Sequence, residues 1–385
     1  MEITNVETVE FRTHSSVHYS RWGYQYHGAI YETTGTVTRI LTDEGVEGVC
    51  LGGSKAVNDR WFKPLLVGEN PLDREKFWQW MYSLTRWRVS EGEIAVIDMA
   101  LWDLAGKYFN VPVHKILGGF RDRVKAYASS VPNLGKPEDY AVHAEMCKKQ
   151  GYKAYKIHPY IFFDPVEWKF CPDTKTFPKQ DIEICRAVRE RVGEDMVLMF
   201  DPWVVGTGGG YTLEEAIWVG RELEELGFYW FEQPLCEDRI EPYAKLCEEL
   251  QIPVLAPEMS VGSFYTRAEW LARKATDMVR MESSLGGITA VKKCVDVCEA
   301  YGVKCELHGG GFGNLQILGA TSPKLCEWYE RGLLRPKQDY EKPRPPLRKI
   351  CDPMDSDGNV LIPQTPGLGM EIDWDYIEQN MTKKP

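Results

Sequence analysis

From about residue 124 the sequence settles into a rhythm that few architectures satisfy. Short β-rich apolar runs alternate with amphipathic helical segments. The runs are VKAYAS, YKAYKIHPY, VLMFDPW, FYWFEQP, PVLAPE, DMVRMES, VKCELHG and LCEWYE. Helical periodicity fills the gaps at 136–149, 180–193, 213–226, 240–250, 266–274 and 288–301, with a Thr212/Glu215 capping box opening one of them. Eight strands alternating with helices predict a parallel (β/α)8-type barrel over residues 124–330. An open doubly wound sheet is the other α/β solution, but no early Gly-rich strand-to-helix turn supports it.

The first 123 residues read differently, as strands followed by helices. ITNVETVEFRT and GTVTRILTDEGVEGVCLGG alternate apolar and polar residues, and the Asp43-Glu44-Gly45 turn makes the second a hairpin. Residues 14–28 are polar and aromatic without a period, which predicts a long loop. His14, His18, Arg21, Tyr24 and His27 in that loop read equally as cover for a polar substrate or as plain surface. Residues 93–107 carry a helical apolar face at Ile94, Ile97, Leu101 and Leu104. The segment 331–385 is rich in Pro and charge, yet ends in VLIP and PGLGMEID, and is expected to return and pack on the first domain.

Three of the barrel runs end on a bare acid: Asp201, Glu232 and Glu258, on consecutive predicted strands three, four and five. A carboxylate at the end of a buried run is costly unless it finds a partner. Any one of them reads equally well as a helix cap or as the partner of a Lys or Arg. Three on adjacent strands point instead to an oxygen-rich site for a hard divalent cation such as Mg2+. Strand two ends with Lys156 and His158, two residues apart and so on one face. Strand seven ends with His308. Nitrogen bases on opposite sides of a metal-bound substrate suit proton transfer at a carbon beside a carboxylate. Glu327, placed near the end of strand eight, reads equally as a substrate ligand or as a solvated acid.

The formal net charge of −11 disfavours nucleic acid or an anionic membrane as partner. No stretch approaches a transmembrane helix and the N-terminus has no signal-like segment, so a cytoplasmic protein is expected. Eleven irregularly spaced cysteines without a CxxC pair read as free thiols filling the core.

Taken together, these residues resemble the enolase superfamily in its mandelate racemase-like branch. The resemblance runs through IAVIDMALWDLAGKYFNVPVHKILGG, the barrel acids, LGGIT at 285–289, the His-ended seventh strand and the closing PGLGMEID. It implies a modified (β/α)7β barrel under an α+β capping domain built from both termini. It makes Asp201, Glu232 and Glu258 the Mg2+ ligands, Lys156 the first lysine of a Lys-x-Lys motif, and His308 the strand-seven catalytic histidine. Three positions depart from the pattern. His158 replaces the second lysine, Trp203 stands where Asn usually follows the first ligand, and the strand-six partner of His308 is either Glu282 or missing, with Met281 at its position. The implied substrate is a sugar acid and the implied reaction dehydration to a 2-keto-3-deoxy acid. Lys156 would stabilise the enediolate, and His158 and His308 would share the base and acid roles. Trp203 and Glu282 are then candidate substrate contacts. Racemisation, epimerisation or lactone cycloisomerisation is the alternative, and a non-catalytic binding protein the less favoured one. The resemblance also implies a homo-oligomer.

Overall fold

The computed structural model describes the chain except residues 17–19, 22–23, 26–29, 133, 160–162, 165–168, 171–176, 204–209, 337–339 and 383–385. For 15–16, 20–21, 24–25, 30–31, 163–164 and 169–170 it describes the backbone alone.

The N-terminal sheet is antiparallel, with Ile3–Ser16 against Ile30–Thr42 and the latter against Glu47–Leu51. The hairpin turns at Asp43-Glu44-Gly45, where Gly45 takes the left-handed conformation. The first strand runs further than the sequence suggested: His14 pairs with Glu32 and Ser16 with Ile30. The aperiodic stretch therefore contributes strand at its start. Helix Glu91–Tyr108 packs on this sheet through Ile94, Ile97, Leu101 and Leu104.

Buried Asp103 on that helix joins three segments. Its carboxylate accepts the Val49 N–H at 2.9 Å and the Leu368 N–H at 2.8 Å, and pairs with Lys107 at 2.6 Å. Gly367 lies so close that a Cβ there would fall 2.3 Å from the Asp103 carboxylate, at a positive φ of 81°. The closing PGLGMEID is thus a clasp on the helix. Beyond it, helix Trp374–Asn380 seats Ile377 among Phe11, Val37 and Val49, and Met381 bridges Phe11.

The second sheet is the barrel. Its strands one to eight are Arg123–Ser130, Ala154–Ile157, Val197–Phe200, Phe231–Glu232, Val254–Leu255, Met278–Met281, Lys304–Leu307 and Trp328–Leu334. Ladders between neighbours are parallel, and strand eight closes on strand one through Trp328↔Lys125. No ladder joins strands seven and eight among the described residues. A main-chain bond from Cys305 to Leu325 at 2.8 Å spans that seam. Among the described residues, seven helices separate the strands: Pro137–Lys149, Pro178–Val192, Leu213–Glu225, Ile240–Glu249, Ser263–Ala272, Gly287–Tyr301 and Phe312–Gly319. The fold is a (β/α)7β barrel with a separate α+β unit. The seventh helix escapes sequence periodicity because it is short and buried on nearly all sides, its polar Asn314 and Gln316 included. The Thr212/Glu215 capping box forms as expected.

Tyr127, Ala154, Met199, Trp230, Leu255, Met278 and Trp328 fill the barrel as an apolar plug. Among the contacts that seat the cap on the barrel, the Asp98 carboxylate accepts from the Thr289 N–H at 2.9 Å and from its hydroxyl at 2.6 Å, and others lie at the barrel loops. Trp78 Nε1 donates to the Gly286 carbonyl at 2.7 Å, and Glu91 accepts the Gly262 N–H at 2.7 Å. An antiparallel strand, Asn359–Leu361, also pairs with barrel strand one. The ten described cysteines are free thiols; Cys294, Cys298 and Cys305 meet between a helix and strand seven.

Ile377→Ala should cost about 2–5 kcal/mol of stability through the cavity it leaves. Chemical denaturation would show it, and a loss below about 0.5 kcal/mol would mean that the terminal helix does not hold the cap together.

Candidate active site

Asp201, Glu232 and Glu258 stand at the C-terminal ends of strands three, four and five. Each offers an oxygen within 4.8 Å of those of the other two, and all three are buried. At about 4 Å, two like charges repel by roughly 4 kcal/mol at an effective dielectric of 20. The acids tolerate one another because cations reach them from neighbouring strands. Lys156 Nζ lies 3.0 Å from Glu232 and 3.4 Å from Asp201. Arg280 Nε lies 2.8 Å from Glu232 Oε1, within ion-pair range but unaligned as a hydrogen bond. Trp230 Nε1 donates to Glu232 Oε2 at 2.9 Å.

These partners leave two carboxylate oxygens over, and a hard cation suits them. Glu232 Oε1 and Glu258 Oε2 are buried without an aligned donor. Burial raises the Glu258 carboxyl well above its ordinary range, the Glu232 and Asp201 charges add to this, and His308 opposes it. Asp201 behaves oppositely. Burial would raise it, but His158, Lys156 and the Trp203 N–H hold it down at about 2. Around the mouth, the five carboxylates of Asp201, Glu232, Glu258, Glu282 and Glu330 outnumber the cations Lys156 and Arg280 and the imidazoles of His158 and His308 that face them among the described residues. A divalent cation among three carboxylates would close that imbalance, and the all-oxygen donor set fits Mg2+.

Lys156 is 1% exposed and also pairs with Glu330 at 3.1 Å. Burial works against its charge, yet Glu232 and Glu330 raise its pKa well above the usual lysine value. It is therefore a fixed positive charge rather than a base. His158 lies beside it with Nδ1 2.6 Å from the Ser130 carbonyl and Nε2 2.9 Å from Asp201 Oδ2. A carbonyl only accepts, so Nδ1 carries a proton and Nε2 is the nitrogen turned to the mouth. Trp203 adopts a left-handed φ of 51°. That conformation lets its N–H reach Asp201 Oδ1 at 2.8 Å and sets its indole 5.0 Å from the His158 ring.

His308 has Nε2 3.2 Å from Glu258 and Nδ1 3.2 Å from Glu282. Burial opposes its charge, but the two carboxylates raise its pKa to about 9. The side chain keeps 32% exposure. The strand-six acid beside His308 is Glu282, while Met281 is core.

Two groups at the mouth escaped the sequence reading. Arg280 is fully buried and ties Glu232 to Glu330, with 2.6 Å to the latter. Glu330 also accepts the Gly309 N–H at 2.7 Å, across the seam between strands seven and eight. Each had a signal. Arg280 stands two residues before Glu282 on one strand face, and Glu330 is the last residue of LCEWYE, another acid closing an apolar run.

Glu327 is a correction: it precedes strand eight instead of ending it. Its carboxylate accepts from Tyr229 at 2.8 Å and pairs with Lys304 at 3.2 Å, residues at the opposite, N-terminal end of the barrel. His14 lies on the first strand of the cap with its side chain exposed. His18 and His27 lie outside the described residues. Arg21 and Tyr24 pair with each other through the backbone, and their side chains lie outside the description.

Comparison with known proteins agrees with this fold. Residues 26–118 match the family described as mandelate racemase / muconate lactonizing enzyme, N-terminal domain. Residues 139–376 match the enolase C-terminal domain-like family. Arabinonate dehydratase of Saccharolobus solfataricus is 30% identical, with 87% of each chain covered. D-galactarolactone cycloisomerase of Agrobacterium fabrum is 29% identical, over 89% of this chain and 90% of the relative. The crystal structure of D-glucarate dehydratase from Agrobacterium tumefaciens complexed with magnesium superposes with a TM-score of 0.89, at 37% identity and full coverage of both chains. With both its cap and its barrel matched, the chain belongs to the mandelate racemase/muconate lactonizing branch of the enolase superfamily.

Proposed function

We propose that this protein is a Mg2+-dependent acid-sugar dehydratase. The observation that carries the reading is the buried triad of Asp201, Glu232 and Glu258, flanked by Lys156 and His158 on one side and His308 on the other. Similarity to arabinonate dehydratase and to the D-glucarate dehydratase structure supports the substrate class and the metal. Mg2+ held by the triad would supply the Lewis-acid charge that acidifies the hydrogen α to a bound carboxylate.

The chain's own residues then divide the work. His158 Nε2 takes the α-proton, a role that requires it to give up the contact to Asp201 Oδ2, which as placed calls for a proton on that nitrogen. Lys156, a permanent charge at the same strand end, stabilises the negative charge that develops on the substrate carboxylate. His308, carrying its proton between Glu258 and Glu282, gives that proton to the departing 3-hydroxyl, which leaves as water. The resulting enol tautomerises to the 2-keto-3-deoxy acid. Trp203 shields the His158 face from solvent, and Glu282 holds the His308 ring. The substrate is a small anion, and its approach to a mouth whose own side chains are net negative depends on the charge of the divalent cation that the triad would hold. No described helix is long and apolar enough to cross a membrane.

Lactone cycloisomerisation is the second reading, favoured by the similarity to D-galactarolactone cycloisomerase. It keeps the proton transfer at carbon but releases no water. Incubation with a panel of aldonic and aldaric acids separates the two. A semicarbazide-reactive 2-keto-3-deoxy product is expected; α-proton exchange without that product would rule out dehydration.

His158→Asn should lower α-proton exchange with deuterated solvent by about 10²–10⁴-fold while Mg2+ still binds. Exchange retained at the wild-type rate would move the base elsewhere.

A further inference from the structure

The ladder between strands four and five is very short. It pairs only Phe231↔Val254 and Glu232↔Leu255, with further bonds from Phe231 N–H to the Pro253 carbonyl at 2.9 Å and from Gln233 N–H to the Leu255 carbonyl at 3.0 Å. Glu232 sits inside that ladder, but Glu258 lies three residues beyond it. Strand pairing therefore cannot fix the distance between the two carboxylates, and something else must.

Glu237, in the loop after strand four, reaches across to the loop after strand five. Its Oε1 accepts the Glu258 N–H at 2.5 Å, and its Oε2 accepts the Ser260 N–H at 2.8 Å and the Ser260 hydroxyl at 2.9 Å. The carbonyls of the same turn are held from another side. Arg267, 1% exposed, donates to the Glu258 carbonyl at 2.9 Å, to those of Pro257 and Ser263 at 3.5 and 3.3 Å, and to that of Ser260. A carboxylate thus holds the N–H groups and a guanidinium the carbonyls. Burial raises the Glu237 carboxyl above its ordinary range, and these donors together with Arg267 offset part of that.

We infer that Glu237 is a positioning residue for the metal site. It ties the main chain at Glu258 to the loop that follows Glu232, so that both carboxylates stay within reach of one ion. The inference rests on reading the triad as a metal site. It concerns a residue that touches neither ion nor substrate, acting only through the backbone that carries a ligand.

Glu237→Gln tests it. A glutamine side chain has one acceptor oxygen, so its amide NH2 must face either the Glu258 N–H or the two Ser260 donors. Calorimetry should show Mg2+ binding weakened about 10–100-fold, the usual scale for groups that orient metal ligands, with the circular dichroism spectrum unchanged. Ser260→Ala removes one of the three donors and should weaken binding less. In metal-free protein, hydrogen exchange at the Glu258 amide should accelerate in Glu237→Gln, a readout independent of the ion. Glu232→Gln serves as the control that loses binding. Wild-type affinity and wild-type exchange in Glu237→Gln, with binding lost in Glu232→Gln, would overturn the brace and leave the metal site standing. Faster exchange at Glu258 in a protein whose wild type takes up no Mg2+ would uphold the tie and overturn the metal reading. If Glu237→Gln does not fold, Ser260→Ala decides: unchanged Mg2+ affinity and unchanged Glu258 exchange would overturn the brace.

Discussion

Mutual repulsion among three buried carboxylates is the constraint around which the barrel mouth is organised. Asp201, Glu232 and Glu258 cannot share 4.8 Å of dry space without compensation. Lys156 and Arg280 supply part of it. Those cations are themselves buried and need further partners, which is the place of Glu330 between them. Cations on strands two and six thus brace the acids that close strands three to five, and Glu330 on strand eight holds both cations. The charge left over after this pairing is negative, and that residue of charge is what a divalent cation would neutralise.

The scaffold meets this demand with short elements. Strands four and five contribute only two residues each. Position beyond the ladders comes from side chains that bond to main chain: Arg267 to the turn after strand five, Glu330 to Gly309, and Ser130 to the His158 N–H. Below them, the aromatic and methionine plug gives the charged layer a rigid floor. Above, the capping unit is fastened through Trp78 and Glu91 to loops that follow strands five and six. The loops nearest the three acids are therefore also those that feel the cap.

Much of this was legible in the chain. The alternation of runs and helices identified a barrel because each run is long enough to cross it once and each helix covers one crossing. The acids were legible because a charge ending an apolar run has few innocent explanations. The same logic, applied to LCEWYE, should have chosen Glu330. It chose Glu327, because the register of strand eight is set by pairing with strand one and not by any local pattern. Arg280 was hidden for a related reason. In DMVRMES it looks like an exposed cation, and only closure of the barrel brings Glu232 and Glu330 to it. The strand that extends through His14 was missed because its partner begins sixteen residues later, beyond an aperiodic stretch. Choosing Glu282 over Met281 as the neighbour of His308 likewise needed three-dimensional pairing.

The central claim is that one hard divalent cation sits among Asp201, Glu232 and Glu258. A crystal grown with Mn2+ in place of Mg2+ tests it most directly, through the anomalous signal of the metal. The account predicts a single peak about 2 Å from one oxygen of each carboxylate, with Lys156 still against Glu330. A peak elsewhere, or no peak while Lys156 and Arg280 alone satisfy the three acids, would contradict it.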